Sequence, residues 1–129
     1  MRMAALLSIA ALSLWPTFVQ AADETIFTLK TTEDLYRVCT TPADDPLRGA
    51  AINFCQGFIL GAVSYHDAVT DRHNLKRLIC YPPGATRDDG IQAFIEWAAS
   101  HQADNKFMDD PPIYGAVRGL AHKWPCKES

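Results

Sequence analysis

Hydrophobic residues recur every three or four positions along most of the chain, which is the spacing of amphipathic helices. The first helix is predicted over residues 32–40, after a capping threonine. The second follows Asp45 as its cap and Pro46 in its first turn, and it continues through the apolar run "INFCQGFILGAVSYH". A third is predicted over residues 87–101. A fourth follows the prolines before Ile113, and no five-residue stretch alternates as a strand does. The pattern predicts an all-α fold, a small bundle of about four helices.

The N-terminus has the pattern of a secretory signal. A basic residue, Arg2, is followed by an apolar run that ends at Trp15, and small residues stand at Val19 and Ala21. This order predicts cleavage after Ala21 and export to the periplasm. The run is too short to be a convincing membrane span, so we expect no stable membrane insertion after cleavage.

The remaining chain has the size of one domain. Residues 22–30 show no helical period and are predicted to form an extended leader, and residues 31–129 are predicted to form a single helical domain. The full chain has 12 basic and 15 acidic residues, and Arg2 leaves with the signal. This acidic balance argues against nucleic acid as a partner.

Four cysteines, an even number in an exported chain, predict two disulfides. Cys39 ends the first predicted helix and Cys55 lies early in the second, so the two can face each other in a helical hairpin. Pairing Cys80 with Cys126 would tie the end of the chain to its middle. The competing pairings join Cys39 to Cys80 and Cys55 to Cys126, or Cys39 to Cys126 and Cys55 to Cys80.

The His66-Asp67 pair is the most enzyme-like feature of the sequence. Cys55 cannot act with His66 as a nucleophile pair, because 11 residues of helix separate them by roughly 16 Å. Adjacent helical residues cannot chelate one metal ion unaided, and His73 stands at an unsuitable spacing. We therefore predict that His66 is a structural histidine that forms hydrogen bonds across the core. No catalytic residue, metal ligand or cofactor is predicted.

Gly57 and Gly61 form a G-x-x-x-G pair in the second predicted helix. Without side chains, this face allows another backbone to approach closely. The neighbour is either another helix of the same chain, which we prefer, or a second copy in a homodimer.

Loops are the predicted contact surface for a partner, because the apolar helix faces are needed for the core. Residues 70–74 are one candidate and residues 103–110 are the preferred one. Phe107 and Met108 lie there among charged residues, as an apolar anchor lies within a polar rim. The alternative is that both side chains fold back onto the core. The proposed contact residues are Asp104, Lys106, Phe107, Met108, Asp109 and Asp110.

Three motifs, "CQGFILGAV" from Cys55, "CYPPGAT" from Cys80 and "WPC" ending at Cys126, together resemble the Rap/Tai family of immunity proteins. The resemblance extends over about residues 36–126. Members of this family accompany amidase effectors of type VI secretion in Gram-negative bacteria. The resemblance implies a small exported helical protein that blocks a peptidoglycan amidase toxin and has no catalytic activity of its own.

A different class of function is compatible with the same sequence features. A periplasmic chaperone-like or adaptor protein without a toxin partner would also be small, helical and bridged by disulfides. Such a protein should expose apolar surface on acidification. An amidase gene beside the gene for this chain would favour the immunity function.

Overall fold

A computed structural model describes residues 24–127. Its helices are α1 (Thr32–Cys39), α2 (Arg48–His73), α3 (Arg87–Ser100), α4 (Asn105–Met108) and α5 (Pro112–Lys123), preceded by a short 3-10 helix, Glu24–Phe27. The described residues contain no strand beyond one isolated bridge. The predicted all-α bundle is confirmed, with its four longer helices in the predicted order. The predicted signal peptide, residues 1–21, lies outside the described residues.

Two capping boxes explain why α1 and α3 begin where the sequence predicts. At α1 the Thr31 hydroxyl accepts a hydrogen bond from the Asp34 N–H, and the Asp34 carboxylate accepts one from the Thr31 N–H. Thr86 and Asp89 repeat the arrangement at α3. Each box satisfies N–H groups that have no partner within the helix.

Helix α2 begins later than predicted, because Asp45 caps a turn rather than the helix. Its carboxylate accepts a hydrogen bond from the Leu47 N–H at 2.7 Å, and the helix starts at Arg48 without a side-chain cap. The Arg48 guanidinium donates to the Thr41 carbonyl. This bond fastens the start of α2 to the residues that follow α1.

Helix α5 packs closely against α1 and α3 because it has glycines where the helices meet. A Cβ added to Gly119 would lie 2.8 Å from Cα of Phe94, and one added to Gly115 would lie 2.2 Å from Cγ2 of Thr32. Such contacts are possible only without a side chain. Phe94 and Thr32 are both fully buried at these crossings.

The predicted packing role of Gly57 and Gly61 is wrong within the chain. Both glycines are exposed, and a Cβ added to either would meet no atom within 4 Å. Their face of α2 points to solvent, so neither glycine is needed for close approach of a described neighbour. The G-x-x-x-G pair that does pack is Gly115 and Gly119 in α5.

The prediction of an extended leader is corrected for residues 24–30. The 3-10 helix Glu24–Phe27 precedes α1, and three apolar residues of this segment pack against the core. The Phe27 ring lies 5.4 Å from the ring of Phe54 on α2, centroid to centroid. The packing residues are Ile26, Phe27 and Leu29.

Both predicted disulfides are present, Cys39–Cys55 and Cys80–Cys126. The first joins α1 to α2. The second joins Cys80, in the segment after α2, to Cys126, which follows Pro125. The Cys80 N–H also donates to the Trp124 carbonyl at 2.9 Å, and Ile79 pairs with Pro125 in the isolated bridge. The end of the described chain is therefore fixed to its middle.

Helix α2 is much longer than its neighbours. Its 26 residues correspond to about 39 Å, whereas the 14 residues of α3 correspond to about 21 Å. The buried positions of α2 recur every three or four residues from Ala51 to Thr70, and Tyr65 is 71% exposed. Within residues 24–127, no helix combines the length and the apolar character needed to cross a membrane.

Candidate functional site

Asp67 connects α2 to the segment that follows it. One carboxylate oxygen accepts hydrogen bonds from Nδ1 of His66 at 3.0 Å and from Nη2 of Arg77 at 2.5 Å. The other oxygen accepts one from the Tyr81 hydroxyl. Partial burial acts to raise the pKa of Asp67, but hydrogen bonds from Tyr81 and His66 and the charge of Arg77 outweigh it, and the pKa is lowered. Asp67 is therefore held as a carboxylate by three neighbours.

His66 fixes the same segment through its other ring nitrogen. Nε2 accepts a hydrogen bond from the Leu78 N–H at 3.0 Å, so the neutral ring carries its proton on Nδ1 and donates it to Asp67. The imidazole is buried. These contacts agree with the prediction that His66 is a structural histidine. Among residues 24–127, no cluster of three or more His, Cys, Asp and Glu side chains could hold a metal ion.

A tight turn directs the chain back along α2. Asn74 has a positive φ of 50°, the left-handed conformation that ends many helices, and the Leu75 N–H donates to the Thr70 carbonyl at 2.9 Å. Four residues later, Ile79 is completely buried. Residues 74–81 are thus held at the turn, by the His66 and Asp67 contacts and by the Cys80 disulfide.

This segment forms one wall of an apolar groove between the second half of α2 and the first half of α5. Two leucines of the segment, Leu75 and Leu78, are 54% and 55% exposed, and Tyr114 on α5 is 55% exposed. The apolar side chains that line the groove are those of Ala62, Tyr65, Val69, Leu75, Leu78, Ile113, Tyr114 and Val117.

The charged side chains that line the groove are cations, Lys76 and Arg118. The Arg118 guanidinium lies 2.5 Å from a carboxylate oxygen of Asp110 and 4.8 Å from the centre of the Phe107 ring. Lys76 is exposed and forms no ion pair within the described part of the chain. Because Asp110 offsets the charge of Arg118, the positive character of the groove comes mainly from Lys76.

The preferred loop, residues 103–110, is not the exposed anchor that was predicted. Met108 is 3% exposed and belongs to the core. Phe107 is half-buried and lies 5.9 Å from the Trp97 ring and 5.3 Å from the His101 ring, centroid to centroid. The alternative, that both side chains fold back onto the core, agrees with these contacts.

The charged residues of the loop have separate roles. Asp104 caps the short helix α4 through a 3.1 Å hydrogen bond from the Lys106 N–H, and Asp110 pairs with Arg118. Lys106 and Asp109 are exposed. Contact of these charged residues with a partner stays a prediction.

Sequence reasoning missed most of the groove. Ile113, at the start of the fourth predicted helix, is 38% exposed and was not assigned to a partner surface. Leu75 and Leu78 were assigned no role, although two leucines in the non-periodic stretch "NLKRL" are a signal of apolar residues outside a helix face. The second candidate, residues 70–74, is mostly the last turn of α2 rather than a loop, and it reaches the groove through Thr70.

Comparison with known proteins gives one match. The family profile described as Rap1a immunity proteins matches residues 31–126, which covers every α-helix of the structure. No curated protein and no solved structure matches the chain.

Proposed function

Because the chain belongs to the Rap1a immunity protein family, we propose that it is an exported, non-catalytic protein that binds and blocks a peptidoglycan amidase toxin. The observation that carries the proposal is the extent of the family match, which runs from the N-cap of α1 to the last cysteine. Family membership implies a toxin partner in general. The amidase identity rests on the resemblance of the cysteine-containing motifs to Rap/Tai proteins.

Binding without catalysis agrees with how the most reactive side chains are used. His66 and Asp67 are engaged in holding Arg77, Leu78 and Tyr81. All four cysteines are in disulfides. These groups stabilise a fixed surface, and a surface that is already ordered loses little conformational entropy on binding.

A location in the periplasm agrees with both the toxin and the disulfides. Amidases of this class act on peptidoglycan, which lies outside the cytoplasm, and disulfides persist in that compartment. The proposed signal, residues 1–21, would deliver the inhibitor to the compartment where the toxin acts.

An inhibition assay tests the proposal. The oxidised chain from residue 22 onward is titrated into peptidoglycan amidases encoded in the same gene cluster, and the cleavage of purified peptidoglycan is measured. We expect one of them to lose activity in proportion to the added chain, whereas the chain alone releases no product. Full amidase activity in the presence of a large molar excess of the chain would contradict the amidase assignment.

A further inference from the structure

We propose that the apolar groove between α2 and α5 is the surface that receives the toxin, and that it takes an apolar segment of the toxin flanked by acidic side chains. This inference rests on the proposed function, since it specifies where and by what chemistry the partner is held.

The segment that carries the exposed leucines is held in place by polar contacts to side chains of α2. The backbone of Leu78 is fixed by the buried His66 ring, and Arg77 beside it is fixed by Asp67 and Asp71. Ile79 then enters the core. A segment that needed only to be stable could turn its leucines inward as well. Here the contacts present Leu75 and Leu78 to solvent on a rigid backbone, which is what a preorganised binding surface requires.

The tyrosines give the groove the composition of an interface centre. Tyr65 of α2 and Tyr114 of α5 both line the groove. The Arg118 guanidinium lies 5.9 Å from the centre of the Tyr114 ring. Tyrosine and arginine are the residue types enriched where binding energy is concentrated. Their side chains combine a large apolar area with a polar end that can form hydrogen bonds to a partner.

The charge of the groove favours a partner segment with acidic side chains. Lys76 and Arg118 line the groove and no carboxylate does so, although the whole chain carries a net charge of −3. A second copy docked symmetrically through this groove would bring two unpaired Lys76 side chains into one interface, whereas Arg118 is already paired with Asp110. A partner segment with acidic residues beside its apolar centre complements both features of the surface.

Site-directed variants of the exposed residues test the location. Leu75→Ser combined with Leu78→Ser removes apolar side chains but keeps the backbone N–H that bonds to His66. We expect at least a tenfold weaker dissociation constant for the amidase and an unchanged melting temperature. Lys76→Glu should weaken binding more at low salt than at high salt, because screening reduces the charge effect. Leu60→Ser is the matched control, since Leu60 is an exposed leucine of α2 that does not line the groove.

A second pair of variants distinguishes the groove from the loop predicted earlier. Lys106→Glu and Asp109→Lys reverse exposed charges of residues 103–110. Loss of amidase binding in these variants, with full binding by the Leu75→Ser, Leu78→Ser protein, would overturn the inference while the proposed function stands. A free chain that is dimeric and becomes monomeric in the groove variant would overturn it in favour of a second copy.

A peptide experiment tests the groove independently of the amidase. Two peptides share one apolar centre, Leu-Phe-Leu-Ile-Leu, and are flanked by glutamates or by lysines. Each is titrated into the labelled chain, and the methyl signals of Leu75 and Leu78 are followed by NMR. We expect the glutamate-flanked peptide to shift these signals with an affinity at least tenfold higher. Equal affinities, or no shift at these leucines, would overturn the inference. If no amidase binds the chain, the amidase assignment fails. This titration still shows whether the groove binds an apolar segment flanked by acidic side chains.

Discussion

Nε2 of His66 accepts a hydrogen bond from the backbone N–H of Leu78, with 3.0 Å between the two nitrogens. The bond joins a buried side chain of α2 to a residue whose own side chain is exposed. One imidazole therefore sets the position of a wall of the apolar groove. The His66-Asp67 pair, which looks like part of an enzyme in the sequence, supports the groove that we propose as the binding surface.

Replacing His66 tests this support. His66→Ala leaves the Leu78 N–H without its acceptor and removes a hydrogen bond to Asp67, so we expect a loss of about 1–3 kcal/mol in the free energy of unfolding. Urea denaturation measures it. Tyr65→Ala, next in sequence and exposed, is the control and should change stability by about 0.5 kcal/mol or less. A chelator should leave the melting temperature of the wild type unchanged, and a shift would show that a metal ion contributes.

Asp67 should make the protein sensitive to acid. Its pKa is lowered from the ordinary value of 3.8, against the effect of partial burial, by hydrogen bonds from Tyr81 and His66 and by the charge of Arg77. A lowered pKa in the folded state stabilises the protein above pH 3.8, and this contribution is lost as the pH falls below it.

We therefore expect Asp67→Asn to be less stable than wild type at neutral pH and to lose less stability on acidification. The comparison needs urea denaturation of both proteins at pH values on either side of 3.8. Parallel losses of stability in the two proteins would show that Asp67 contributes nothing to acid sensitivity. Asp34, whose pKa is lowered as well, should keep part of the acid response in the variant.

The glycines of α2 and α5 should respond to alanine in opposite directions. Gly119→Ala would force a methyl group against the backbone of Phe94 and should destabilise the fold by about 1–3 kcal/mol. Gly57→Ala and Gly61→Ala add a methyl group in open space and reduce the freedom of the unfolded chain, so each should stabilise by about 0.5–1 kcal/mol. Thermal unfolding of the three variants measures this. Destabilisation by Gly61→Ala would show that its face packs against something, including a second copy.

The sequence predicted the elements better than it predicted which surfaces they cover. Thr31 and Thr86 start helices through local capping bonds, and local bonds can be recognised within a few residues of sequence. The pairing of Cys39 with Cys55 also followed from a short connection between helices. The G-x-x-x-G pair of Gly57 and Gly61 has the same spacing as Gly115 and Gly119. Only the tertiary arrangement of α1, α3 and α5 determines which pair is buried.

The candidate site was harder to predict because it depends on contacts between distant segments. Met108 was assigned to a surface anchor since it lies outside the periodic helices, yet the short helix α4 turns it into the core. Leu78 has no periodic role either, and it is exposed because His66, 12 residues earlier, fixes its backbone. The two residues look alike in the sequence. Their burial differs because of long-range packing.

The two disulfides should contribute unequally. Cys80–Cys126 closes a loop with a separation of 46 residues and Cys39–Cys55 one of 16, so the chain-entropy estimate is about 4 kcal/mol for the first and about 3 kcal/mol for the second. We expect the Cys80→Ser, Cys126→Ser protein to be the less stable of the two double variants in urea. The reverse order would show that the 80–126 segment stays ordered by its other contacts, including the Cys80 hydrogen bond to Trp124.

Protection of living cells tests the central claim most directly. An amidase found to be inhibited in the assay proposed above is exported to the periplasm of a bacterium that lacks both proteins, and lysis is followed by turbidity. We expect that the full chain prevents lysis, that a chain without residues 1–21 does not, and that the Leu75→Ser, Leu78→Ser variant protects poorly at equal abundance. Lysis at the same rate with and without the full chain would contradict the immunity function.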